Sequence, residues 1–324
     1  MTSQSSTPDV PPGLRALYDA AGPVIRFRIL RDVLGRDESF IETAHLGLDV
    51  RSLPEAEAII AAQEIDGSWG GALYETRGES ITTEIAVLRL CELGLEQCES
   101  LRQCVEKAFL PTLLREDILW EYEARAEKTA ARRLVRDKAL RLITRCTRDA
   151  DDVLKPLLES VLVEWDHSLS EKHGAVLPPT ADSWAAVCHF PWSDDDFSRV
   201  RVLARRLAKR AEVEMDHTVH APDFFALHAF RLCDKWEYLA RPPLLFHELE
   251  LAARLGVAAD LPHTRWLLEE LEARQDADGF FRFDLEVPIE PSWYFPLEKT
   301  RPEEFHIEWS FRAAHIFTLL GYDM

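Results

Sequence analysis

Residues 63–69 read Gln-Glu-Ile-Asp-Gly-Ser-Trp, and a degenerate echo, Gln-Asp-Ala-Asp-Gly-Phe-Phe, occupies 275–281. Each stretch follows an amphipathic run of helical period and precedes a second, more apolar one. In the first copy Ala56–Gln63 leads through the Gly67 turn and a polar loop to Ile81–Gly94. In the second, Arg265–Gln275 leads through Gly279 and a longer loop to Phe305–Gly321. The leading helices carry one apolar stripe. The following ones spread Ile81, Ile85, Val87, Leu88 and Leu90, or Ile307, Phe311, Ala314, Ile316 and Phe317, around most of their girth, the pattern of a helix covered on several sides.

Outward from these copies helical periodicity continues almost everywhere and period-2 alternation is scarce. It predicts helices at 13–21, 23–34, 53–63, 80–94, 99–115, 117–146, 150–170, 181–190, 195–212, 222–239, 243–256, 263–275 and 304–321. Pro23, Pro54, Pro222 and Pro302 fall at helix starts, and Gly35, Gly94, Gly256 and Gly321 at helix ends. Pro111 and Pro156 fall inside periodic runs and are expected to divide or kink them. Residues 1–12 are polar and proline-bearing and read as a disordered tail. No composition shift marks a boundary beyond it, so 13–324 is read as a single all-α domain. Helix pairs of this size must stack to bury their apolar faces, and outer amphipathic helices alternating with inner apolar ones predict two concentric rings.

The segment Gln63-x-x-Asp66-Gly67-Ser68-Trp69 resembles the glutamine–tryptophan repeat of squalene and other terpene cyclases and of protein prenyltransferase β-subunits. The resemblance implies an α/α toroid of about six helical hairpins around a central cavity. It further implies that Gln63 and Asp66 fix the turn through backbone groups and that Trp69 stacks on the glutamine. The second copy keeps Gln275, Asp278 and Gly279 but has Phe281 in the tryptophan's place. The motif is structural in these families and identifies no reaction.

With 57 acidic against 38 basic residues the formal net charge is −19, which disfavours nucleic acid and anionic membranes as partners. The basic runs 125–148 and 199–210 read as solvated helix faces balanced by i,i+4 acidic neighbours. Six scattered cysteines without CxxC spacing, no leader pattern and no long apolar run predict a soluble cytoplasmic chain with free thiols and no integral membrane segment.

Residues 149–152, Asp-Ala-Asp-Asp, resemble the Asp-x-Asp-Asp motif of class II terpene cyclases. The resemblance implies Asp151 as the Brønsted acid and Asp149 and Asp152 as the neighbours that keep it protonated. A cation cascade on a small apolar, isoprenoid ligand would also need aromatic walls, with Trp184, Phe224, Phe225, Phe230, Trp309 and Phe311 as candidates. The same aspartates equally fit the first turn of a helix carrying Val153, Leu154, Leu157, Leu158 and Val161. Prenyltransferase likeness would imply zinc held by an Asp-x-Cys pair and a later histidine. His306 could point inward, but Cys233-Asp234 has the wrong order, so no metal or other cofactor is expected. Ser193 and Asp196 in Trp192-Ser-Asp-Asp-Asp-Phe197 fit a capping box. Two alternatives stand beside the cyclase reading. One is a non-catalytic toroid that binds a small apolar ligand or a protein partner. The other is a carbohydrate-active toroid with Glu84 and Glu308 at one rim and Trp309 as a stacking platform.

Overall fold

A computed structural model describes residues 9–70, 81–113, 128–146, 151–170, 179–215, 242–283, 297–298 and 304–322. Among them the chain is helical, and the only β feature is an isolated bridge between Gln275 and Phe281. The helices are α1 (Pro12–Ala20), α2 (Pro23–Arg28, prolonged by a π-helical turn, Ile29–Val33), α3 (Ile41–Arg51), α4 (Pro54–Ala61) and α5 (Thr83–Glu92). Then come α6 (Glu99–Cys104, prolonged through Val105–Phe109 and Leu110–Leu113), α7 (Lys128–Cys146), α8 (Asp151–Ser170) and α9 (Ala181–His189). The last four are α10 (Asp194–Met215), α11 (Pro242–Arg254), α12 (Pro262–Glu272) and α13 (Phe305–Leu319).

Punctuation by proline and glycine follows the sequence. Pro23 and Pro54 open helices, and Gly35, Gly94, Gly256 and Gly321 have positive φ. Gly94 is doubly required: its φ is 85°, and a Cβ there would lie 2.9 Å from the Phe27 ring. Pro156 sits inside an unbroken α8, where it frees only the carbonyl of Asp152, an exposed residue in the helix's first turn. Pro111 follows the π-helical turn at Val105–Phe109. Ser193 and Asp196 cap α10 as expected: Asp196 N donates to Ser193 Oγ (3.3 Å), and Ser193 Oγ donates to Asp196 Oδ2 (2.7 Å). Helix α3 is absent from the periodicity because its apolar residues make no stripe. Thr43 and Val50 are buried, while Ile41 and Leu48 are 70% and 58% exposed. Val10, inside the stretch expected to be a disordered tail, is buried in the core. The expected helix 222–239 lies outside the described residues.

Both repeat turns have the same skeleton. In the first, Glu64 N donates to Ser68 O (2.8 Å), Gln63 Nε2 donates to Gly67 O (3.0 Å), and Trp69 N donates to Thr83 Oγ1 (3.0 Å). In the second, Asp276 N donates to Phe280 O (2.8 Å), Gln275 Nε2 to Gly279 O (3.2 Å), and Phe281 N to Ser310 Oγ (2.8 Å). Gln63 also donates to Ser100 O (2.7 Å), tying the turn to the next helical pair. Asp66 accepts from Ser68 N (2.9 Å); in the echo Asp276, rather than Asp278, receives the turn's backbone amides. Trp69 is fully buried and its indole donates to Ile59 O (2.7 Å). Removing a side chain of that size costs about 3–5 kcal/mol.

Helices α2, α5, α7, α9, α11 and α13 pack in succession. Arg31 Nη1 of α2's π turn donates to Gly94 O just past α5 (2.6 Å), and α5 packs on α7, α7 on α9, α9 on α11, and α11 on α13. Helix α13 in turn meets the π turn of α2. The other helices lie against this set: α3 on α2, α4 on α5, α8 on α7, α9 and α10, α12 on α11, and α1 on α13. No described helix is long and apolar enough to cross a membrane.

Candidate functional site

Charged side chains from those six helices meet one another, many of them from the helices' C-terminal halves. Glu92, the last residue of α5, receives Arg145 of α7 (3.1 Å) and Arg312 of α13 (3.1 Å), with Arg28 of α2 at 3.6 Å. Arg28 also binds Asp32 (2.7 Å) and lies over the Phe311 ring (5.0 Å), which stacks on His315. Arg254 clasps Glu250 one turn before it on α11 (2.8 Å), and Arg141 of α7 donates to Asp182 of α9 (2.8 Å). His189 ends α9 and His247 stands mid-way along α11. Arginines belong here for a local reason: helix C-termini carry partial negative charge and unfilled carbonyls, which cations offset. The π-helical turn in α2 adds a residue to that turn, and it is there that Arg31 and Asp32 join the network.

Burial would raise the Glu92 carboxyl, but Arg312, Arg145 and Arg28 outweigh it and hold the group ionised, at about 2. Glu250 is likewise held well below the carboxylate range: burial opposes, and Arg254 leads the cations that prevail. The imidazoles move the other way. Burial first, and Arg141 next, push His247 down to about 4; burial brings His315 to about 4, and burial with Arg254 holds His189 well below the ordinary imidazole value. His247 is nonetheless exposed to solvent, and His189 partly so. His247 thus meets water while its surroundings disfavour its cation. None of these three histidines makes a hydrogen bond to another described residue. At neutral pH this cluster therefore holds ionised carboxylates, guanidinium donors and neutral imidazoles that make no hydrogen bond to another described residue.

The residues expected from the sequence lie elsewhere. Glu84 is buried and paired with Lys138 (2.9 Å), in the first turn of α5. Glu308 is buried, accepting from Leu297 N (3.0 Å) and Arg312 Nε (2.9 Å). Trp309 is buried and stacked on Phe246 at 5.5 Å. Trp184 is buried against Trp165, with ring centroids 4.3 Å apart. His306 is half-buried and edge-on to Phe280. Of the aspartate motif, Asp149 and the side chain of Asp151 lie outside the described residues, as do Phe224, Phe225 and Phe230, while Asp152 is exposed at the start of α8. Phe311 lies beneath Arg28 of the charged cluster.

The basic run on α7 is not a solvated face. Lys138, Arg141 and Arg145 share one side of the helix and reach Glu84, Asp182 and Glu92 on neighbouring helices. On the other side Arg136 binds Glu164 of α8 and the fully buried Asp137, whose second oxygen accepts from Thr180 (2.7 Å), the cap of α9. In the 199–210 run, Arg205 and Arg206 likewise pair with Asp260 and Asp166 of other segments. Local i,i+4 arithmetic is satisfied by any acidic residue nearby in sequence, so it could not see these partners. Among the described residues no group of three or more His, Cys, Asp or Glu could hold a metal ion. Cys91 and Cys146 are buried free thiols in hydrogen-bond contact, 3.8 Å between sulfurs. No family model, no curated protein and no solved structure matches this chain.

Proposed function

We propose that α2, α5, α7, α9, α11 and α13 are the inner ring of an α/α toroid of about six helical hairpins, and that the recess at their C-terminal ends binds a polyhydroxylated small molecule. The carrying observation is the charge network itself, to which all six helices bring hydrogen-bonding side chains, with His247 open to water. Glu92 and Glu250 sit on α5 and α11, second and fifth in the packing order and so across the recess from one another. Arg141 and Arg145 each use one of their donors, and the imidazoles offer acceptors, which is what hydroxyl groups require, since each both gives and takes a bond. An apolar ligand would leave these groups desolvated and unpaired, at about 1–3 kcal/mol each.

The chemistry available at neutral pH is proton acceptance by the imidazoles. Neither recess carboxyl is protonated there, so acid-first glycosidic cleavage by Glu92 or Glu250 is not part of the reading. Isoprenoid cyclisation with Asp151 as acid is the second reading. It is favoured by the rings of Phe246, Phe283, Phe305 and Trp309 clustered near the other ends of the inner helices.

Thermal-shift and calorimetric titrations of the full chain with neutral mono- and disaccharides, geranylgeranyl diphosphate and squalene separate the readings. Saccharide binding that His247→Ala abolishes supports the polar recess. Binding and cyclisation of a prenyl probe, lost in Asp151→Asn and indifferent to His247→Ala, would replace it with the second reading.

A further inference from the structure

Helices α5 and α7 lie side by side in one parallel register. Lys138 Nζ donates to Glu84 Oε2 (2.9 Å) in the first turn of α5, and Arg145 Nη2 donates to Glu92 Oε1 (3.1 Å) at its end; these partners are 54 and 53 residues apart. Cys91 and Cys146, 55 residues apart, fall on the same register with their sulfurs 3.8 Å from one another. Both thiols are buried, each in the last turn of its helix. Two ion pairs therefore hold the sulfurs opposite one another, and their contact does not hang on a single side-chain rotation. Cys188, by contrast, turns its thiol to Leu251 O (3.7 Å). Sulfurs in a disulfide are about 2.05 Å apart, so closing the pair needs an approach of about 1.8 Å shared between two side chains. A last turn has the fewest helical hydrogen bonds to disturb on the way.

We propose that Cys91 and Cys146 form a redox-modification site, which hydrogen peroxide converts to an intramolecular disulfide that staples α5 to α7. One sulfur, as its thiolate, attacks a peroxide oxygen and breaks the O–O bond, giving a sulfenic acid and hydroxide, which takes up the thiol proton as water. The second sulfur attacks the sulfenic sulfur, the S–O bond breaks, and the departing hydroxide leaves as water with the second thiol's proton. Two thiols and one peroxide thus give one disulfide and two waters; the sulfurs lose the two electrons that the O–O bond gains. The Cys91 contact and burial raise the Cys146 thiol, so the reaction is slow, and the packing around it admits a small oxidant ahead of a bulky one. Glu92 adjoins Cys91 and Arg145 adjoins Cys146, so the staple also fixes the spacing of α5 and α7 at the charged cluster. The proposal stands whether or not that cluster binds a polyhydroxylated ligand.

The test treats the reduced full chain with hydrogen peroxide, alkylates what remains free after unfolding, and maps peptides by mass spectrometry without reductant. The peptides holding Cys91 and Cys146 should appear joined, two hydrogens lighter than their sum, in a chain that remains monomeric, and dithiothreitol should separate them. The cross-link closes a loop of 55 residues in the unfolded chain, so the oxidised protein should melt about 5 °C above the reduced one. Cys146→Ala should abolish both the joined peptide and the gain, while Cys188→Ala should keep both. The mapping of the unsubstituted chain decides the matter even if Cys146→Ala does not fold. Peroxide that leaves both thiols free, carries either to sulfinic acid, or joins either to a different cysteine overturns the proposal. A joined chain that melts no higher than the reduced one overturns the staple.

Discussion

Replacing Glu92 by glutamine removes one negative charge from a site where three arginines meet, while keeping the side chain's size and one acceptor oxygen. The carboxyl is held at about 2 in the folded chain against an ordinary value of 4.5, roughly a three-hundredfold change in acidity. Each tenfold change is about 1.4 kcal/mol, so the ionised form contributes about 3 kcal/mol at pH 7. The folded value is the depressed one, so this stabilisation is fully present above the unfolded value of 4.5 and fades as pH falls toward 2. By pH 3 only about 1 kcal/mol should remain. Urea unfolding of wild type and Glu92→Gln at pH 7 and pH 3 measures both quantities. At pH 7 the variant should lose about 3 kcal/mol, which for a chain of this length lowers the melting temperature by about 4 °C. At pH 3 the difference should have shrunk to about 1 kcal/mol. A loss under about 1 kcal/mol at pH 7, or one that does not shrink on acidification, would refute the reasoning that the arginines around Glu92 hold it ionised.

Gly67→Ala and Gly279→Ala test the repeat turns: φ is 83° and 85°, but a Cβ at 67 would lie 2.7 Å from Gln103 O, whereas at 279 its nearest neighbour would be Gln275 Nε2 at 4.0 Å. Chemical unfolding should show a loss of about 3 kcal/mol for the first and about 1 kcal/mol for the second, and equal losses would contradict the close approach. His247 and His315, held at about 4, should show no imidazole titration by two-dimensional NMR between pH 8 and 5.5; a midpoint near 6.5 for His247 would remove it from a desolvated wall. Burial raises the Cys104 thiol, and the Cys91 contact with burial raises that of Cys146, so maleimide labelling read by peptide mass spectrometry at pH 7 should modify neither before unfolding.

Much of this chain is legible residue by residue. The helical starts at Pro23 and Pro54, the positive-φ glycines, the Ser193 cap and the two repeat turns all follow from local chemistry, because a turn or cap is satisfied by atoms a few residues away. Helix α3 escapes because its burial is set by neighbours rather than by a stripe of its own. The candidate site was not legible for a related reason. Glu92, Arg145, His189, His247, Glu250 and His315 come from five helices spread over more than two hundred residues, and no two of the helices contribute a recognisable spacing. Glu84, Glu308 and Trp309 look more promising in sequence, yet folding places them in buried pairs. By itself, then, the sequence determined helices, caps and the repeat, whose hydrogen bonds close locally. Which charges meet across helices, and which of them keep a face to water, only the tertiary structure decided, because Coulomb partners and desolvation depend on distance in space and not along the chain.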